Sequence, residues 1–227
     1  TIQMAINASF DGDVILVAPG TYNENLYFNS RGITLRSSGG PSVTSIVGQS
    51  TESEYVVNVE SLAGPGAIEG FDIGSTKAIG RTVLCDDSTL SVINCRILEE
   101  LRGLFAKGGS ILEIRDSHLS STDGECIYLQ DSSVLTLSDS SLTSAGDNVL
   151  YAPSGSQITI SGCSFENSTC VRLLQLNGGP LVLLDSVFRG NTTGNNMLHI
   201  YCSASISGCT FESNVTNAGY ICRVIDS

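Results

Sequence analysis

An all-β solenoid of stacked parallel coils, three short strands to a coil, is the fold this sequence predicts, and three observations point to it. The first is repetition. Between Ser110 and Gly208 the chain reads S-I-L-E-I-R-D-S-H-L, S-V-L-T-L-S-D-S-S-L, S-Q-I-T-I-S-G-C-S-F, G-P-L-V-L-L-D-S-V-F and S-A-S-I-S-G-C-T-F. Asp116, Asp139, Gly162, Asp185 and Gly208 therefore recur every 23 residues, and Asn94 and Gly70 extend the column at steps of 22 and 24. A period in this range marks a solenoid. The second observation is alternation: Leu112/Ile114, Leu135/Leu137, Ile158/Ile160 and Leu181/Leu183 place every second side chain on one interior, as strands do. The third is the residue type in the repeating column, always Asn, Asp or Gly, the types that best tolerate a left-handed backbone. The chain bends there.

The elements follow in order. Thr1 to Ser9 reads as a short amphipathic helix, Ile2, Ala5, Ile6 and Ala8 forming its stripe and Thr1 its cap, so that residues 1–13 cover the open end of the core. Asp11-Gly12-Asp13 turns into a strand at Val14 to Val17, and Leu26 to Phe28 and Ile33 to Leu35 complete the first coils. In each later unit a second strand begins at the bend, with a small inward column (Cys95, Ser117, Ser140, Cys163, Ser186, Cys209) and then a large one (Ile97, Leu119, Leu142, Phe165, Phe188, Phe211). A third short strand opens each unit at Val83-Leu84, Leu104-Ala106, Ile127-Leu129, Leu150-Ala152, Leu173-Leu176 and Leu198-Ile200. Coils of about 23 residues with three strands leave no room for a helix and describe a parallel β-helix, right-handed by the rule for parallel crossovers. One elongated domain, 1–227, is expected. Ile221 to Ile225 begins another opening strand without a cap, and the expectation is a polypeptide that continues beyond Ser227.

A net charge of −12 with only 11 Lys and Arg argues against nucleic acid or anionic membrane as partner, and would repel acidic polysaccharide unless a cation bridged it. No run approaches the roughly 18 apolar residues of a membrane span, so no membrane insertion is expected within this segment. Of the eight Cys, Cys163 and Cys209 lie two coils apart in one column, about 9.6 Å at 4.8 Å per strand, beyond disulfide reach. Only Cys202 and Cys222 fall near enough to consider, and the expectation is buried, mostly unpaired thiols.

T-I-Q-M-A-I, then D-G-D-V-I-L-V-A-P-G-T-Y-N-E-N, then G-I-T-L-R-S resembles the opening of the pectin-lyase-like right-handed β-helix proteins, which implies the same fold. F-E-N-S at Phe165, F-R-G-N at Phe188 and F-E-S-N at Phe211 resemble the F-x-x-N repeats of polymorphic outer-membrane proteins, which implies a surface role, although the companion G-G-A-I element is absent. Enzymes of the superfamily that act on acidic polysaccharides imply clustered Asp, His, Arg or Lys on one outer face. The longer catalytic signatures of pectin methylesterases, polygalacturonases and pectate lyases are absent.

No catalytic residue is assigned. His118 points outward beside Arg115 and Asp116, an acid/base group in principle but more readily a solvated strand residue. The Asp116, Asp139, Asp185 column imitates a calcium ladder, yet Asn and Gly share it, so backbone geometry is the common demand. No metal or cofactor is expected; Asp86-Asp87 and Asp123-Gly124-Glu125 are the loop carboxylates where calcium would be sought. Phe105 lies between inward Leu104 and Ala106, and the same place in later coils holds Tyr128, Tyr151, Leu174 and His199. Alternation turns them outward as a stripe that marks a binding surface for other protein domains, copies of the chain or glycans. N-x-S/T sequons at Asn167, Asn191 and Asn214 recur in one turn, with another at Asn7, and predict a glycosylated, solvent-facing edge. The expected function is a non-enzymatic extracellular or cell-surface module for adhesion, spacing or filament assembly; the alternative is a carbohydrate-active enzyme or carbohydrate-binding module.

Overall fold

The computed structural model describes residues 1–49, 55–75, 81–99 and 102–225. They wind into a right-handed parallel β-helix of about nine turns, with about 23 residues per coil. Among the described residues three sheets of nine parallel strands each form the walls, and a short three-stranded sheet, Thr169–Cys170, Thr192–Thr193 and Val215–Thr216, pairs in a turn between the second and third. The first sheet runs from Val14–Val17 to Ala204–Ser207, the second from Gly20–Tyr22 to Thr210–Glu212, and the third from Leu26–Tyr27 to Cys222–Val224. No described helix is long and apolar enough to cross a membrane.

The helix spans Ile2–Ala8, and the Thr1 hydroxyl accepts from the Met4 N–H. Only Ile2 and Ile6 bury; Ala5 and Ala8 stay exposed, so the stripe that closes the core is narrower than the sequence pattern. Glu24 of the first coil accepts from the Ile2 and Gln3 N–H groups, which ties the helix start to the solenoid and places a carboxylate at its positive end.

The bend column behaves as its residue types require. Asn94, Asp116, Asp139 and Asp185 have φ of 49, 53, 48 and 47°, and Gly70, Gly162 and Gly208 have 76, 61 and 66°. One residue on, the small column fits because its polar atoms serve the backbone: the Cys95 N–H donates to Ser117 Oγ and the Ser117 N–H to Ser140 Oγ, each at 3.1 Å. Larger side chains would break this hydroxyl ladder. Beyond it, Phe165, Phe188 and Phe211 stack at 4.7 Å between ring centres. None of the eight cysteines forms a disulfide, and burial pushes the Cys126 and Cys170 thiols up to about 12. Thiols held that far from ionisation are poor nucleophiles.

The F-x-x-N spacing has a physical meaning. Asn191 is inward and 0 % exposed; its Nδ2 donates to the Phe165 carbonyl at 2.7 Å, and its Oδ1 accepts from the Ser168 N–H at 2.9 Å. Asn214 repeats this one coil later, accepting from the Asn191 N–H and donating to the Phe188 carbonyl. The residues are an internal amide ladder, not a solvent edge. This corrects the sequon reading at Asn191, whose buried amide is no glycan acceptor in the folded chain, and places Asn214 half-buried in the same ladder. Asn167 sits one position earlier, exposed, at the left-handed bend with φ 55°.

Candidate functional site on the third sheet

The outward face of the third sheet is assembled by register. Phe105 pairs with Tyr128, Tyr128 with Tyr151, Tyr151 with Gln175, Gln175 with His199 and His199 with Arg223. Leu174 does not belong to this row. It pairs with Leu150 and Leu198 on the inward side and is 0 % exposed. The cause is a step of 24 residues from Leu150 to Leu174, while first-sheet partners Ile158 and Leu181 remain 23 apart. One residue of slip exchanges inward for outward, and Gln175 takes the place expected for Leu174.

Phe105 is outward in register but only 4 % exposed, because the Arg81 guanidinium lies over it, 4.3 Å from the ring centre. Arg81 Nη1 also donates to the Tyr55 hydroxyl at 2.7 Å. Tyr128 and Tyr151 are half-buried, and the rings of Phe105, Tyr128 and Tyr151 stack at 5.1 and 5.3 Å, the last pair within 3° of parallel. Their faces are spent on each other, leaving edges and hydroxyls at the surface. The Tyr128 hydroxyl accepts from Gln130 Nε2.

A second outward row stands two residues before the inward Val83, Leu104, Ile127, Leu150 and Leu174: Arg81, Arg102, Glu125, Asn148 and Arg172. Arg102 lies 5.2 Å from the Tyr128 ring centre, and its Nε is 2.8 Å from Glu125 Oε2. Glu125 is 3 % exposed, and that oxygen has the charge contact without a directed hydrogen bond. Asn148 Oδ1, Arg172 Nε and both His199 ring nitrogens are likewise buried and unpartnered. His199 is 9 % exposed; burial, and then the charges of Arg172 and Arg223, lower its pKa and keep the ring neutral at pH 7. A few such atoms on one face of a native fold require a reason. Four of the chain's 11 cationic residues stand here, Arg81, Arg102, Arg172 and Arg223, and only Arg102 of the four has a carboxylate partner among the described residues.

The other sequence candidates do not converge. His118 is half-buried in a groove of about 450 Å³ at the corner of the first and second sheets, with Arg96, Asp116, Asp139 and Ser141. Its Nδ1 is 2.8 Å from Ser141 Oγ, while Arg115 pairs with Asp116 at 3.2 Å, so the three do not form one acid/base group. Burial and the Arg96 charge lower the His118 pKa. Asp86 is held by Lys107 at 2.8 Å. Glu125, singled out in the sequence only as a loop carboxylate, belongs to the third-sheet site; Asn148 and Arg172 carried no sequence signal because their types differ from coil to coil.

Comparison with known proteins agrees with this architecture. An alginate lyase from Paenibacillus sp. str. FPU-7 superposes with a TM-score of 0.62 at 15% identity, over 98% of this chain and 95% of that one. A pectin methylesterase from Aspergillus niger gives 0.58 at 14% identity, over 95% and 81%. At such identities the likeness is one of fold alone. No curated protein matches the sequence. The family described as the right-handed β-helix region matches residues 102–226, more than half of the chain, and this chain belongs to that family.

Proposed function

We propose that this chain is a non-enzymatic extracellular binding module that lays a linear acidic glycan along the outward face of its third sheet. The observation that carries the reading is the row of buried polar atoms without partners, Asn148 Oδ1, Arg172 Nε and the His199 nitrogens, beside the Arg102–Glu125 ion pair on the face that also gathers Arg81, Arg172 and Arg223. Unpaired buried groups cost about 1–3 kcal/mol each, which a polyhydroxylated, charged ligand offsets by supplying partners. The chain's net charge of −12 opposes an acidic polymer at long range, but that field is screened beyond roughly 10 Å in salt, and the local guanidinium groups decide the contact.

Two features favour binding over catalysis. The face is a strip, and its buried carboxylate Glu125 is held in an ion pair by Arg102. The stacked rings present edges, so hydroxyl and guanidinium contacts, not sugar stacking on aromatic faces, give the affinity. The likeness to an alginate lyase and a pectin methylesterase supports this reading only as a relationship of fold. Asn167 is the sequon of its row that the reading leaves accessible for a glycan of its own. The test is affinity electrophoresis through acidic and neutral polysaccharides, with reducing ends and unsaturated products assayed in parallel. Retardation by acidic polymers alone, without new chain ends, is expected; equal mobility in all gels, or cleavage, refutes the proposal.

A further inference from the structure

We infer that Arg172, His199 and Arg223 form a subsite for a tetrahedral oxyanion, a sulfate or phosphate ester carried on the glycan. This rests on the glycan-binding reading and names the group that one end of the strip selects. His199 is the centre. It is nine-tenths buried, and neither ring nitrogen has a partner. Arg223 is its register neighbour on one side and Gln175 on the other, and Gln175 Oε1 accepts from Arg172 Nη1 at 2.9 Å, which holds that guanidinium beside the imidazole. Arg172 Nε is itself buried and unpartnered. The Tyr201 ring, 4.5 Å from the imidazole and tilted by 54°, closes a further side.

The charges facing the imidazole are therefore the two guanidinium groups, with Gln175 and Tyr201 neutral, and neither arginine has a carboxylate partner among the described residues. A cationic cluster with no internal anion, on a chain of net charge −12, is the reverse of what solvation alone favours. Donors approaching from three residues suit a group with three terminal oxygens, whereas a planar carboxylate offers two and is matched by a single arginine fork. Anion binding also favours protonation of His199, so binding takes up a proton and strengthens as pH falls below neutral.

The experiment uses the full chain with five probes: inorganic sulfate, inorganic phosphate, dextran sulfate, a polyuronate and plain dextran. The His199 ring resonances are followed by NMR, and affinities are measured for the chain and for Arg223→Gln, His199→Gln and, as a control on the second sheet, Arg189→Gln, each checked by its melting curve. The expected result is that sulfate or phosphate shifts the His199 resonances, and that both site variants lose about tenfold or more for dextran sulfate, a larger factor than for the polyuronate, while Arg189→Gln changes neither. The inorganic ions distinguish the ester: a response to one alone assigns it. Polymers that bind all variants alike overturn the subsite and leave the glycan reading standing. A His199 ring that ignores both ions, with no polymer bound, removes both. The NMR readout needs no variant, so a substitution that fails to fold does not protect the inference.

Discussion

Two rows of buried polar side chains run along this solenoid and obey opposite rules. In the inward row of Ser168, Asn191 and Asn214, each side-chain oxygen accepts an N–H from the coil before it, and each amide nitrogen donates to a carbonyl there. In the outward row of Glu125, Asn148 and Arg172, with His199 beside it, the atoms are equally buried but several have no partner. The difference lies in what each row meets. The inward hydroxyl and amides meet backbone N–H and C=O groups that recur in every coil, and an amide, carrying both donor and acceptor, uses one of each; Asn148 Oδ1, Arg172 Nε and the His199 nitrogens meet no such group. A row served by the backbone builds the fold; a row left unserved inside a regular fold is available to a ligand.

The largest expected effect sets the scale for that comparison. Ile160 is fully buried and Thr159 exposed on the same strand, so Ile160→Asp costs several kcal/mol in denaturant titration and Thr159→Asp stays within about 0.5. Equal costs would mean that inward and outward faces are not distinct. Next, Asn191→Ala strands the Phe165 carbonyl and the Ser168 N–H and loses about 1–3 kcal/mol, while Asn148→Ala removes an acceptor that had no partner together with a single local bond from Nδ2 to Asp147, and costs clearly less. If Asn148→Ala proves as costly as Asn191→Ala, both rows are structural and the distinction collapses. Polysaccharide retardation should respond in the opposite order, weakened by Asn148→Ala more than by a ladder variant that still folds.

A smaller effect appears with pH. His118 and His199 titrate below the ordinary 6.5 in the folded chain, chiefly through burial, so the unfolded chain takes up protons first as pH falls. Stability is therefore full above about pH 6.5 and declines below it towards the folded-state values. Melting temperatures recorded from pH 7.5 to 5 should fall less steeply in His199→Gln; an unchanged slope would show that the ring is as solvated as in the unfolded chain. Least of all, a reductant should leave the melting temperature where it is, since no disulfide joins the cysteines; a drop of several degrees would reveal a disulfide holding the coils.

The sequence by itself determined the coil, because the coil is periodic. Alternation placed Ile158 and Ile160 inside, the Asn, Asp and Gly column required positive φ at each bend, and the small residues after it marked where the backbone turns. These demands are local and repeat, so each coil confirms the next. Only the tertiary structure decided the outward face. Whether Phe105 is exposed depends on Arg81 from the preceding coil. Leu174 instead of Gln175 was expected in the stripe because a 24-residue step in the third sheet shifts the phase while the first sheet keeps 23. Asn191 reads as a sequon in one dimension and as a ladder rung in three. The Arg102 partner of Glu125 and the Arg172 and Arg223 charges beside His199 come from residues more than 20 positions away, brought near by stacking, and no local rule of period or propensity reports on those.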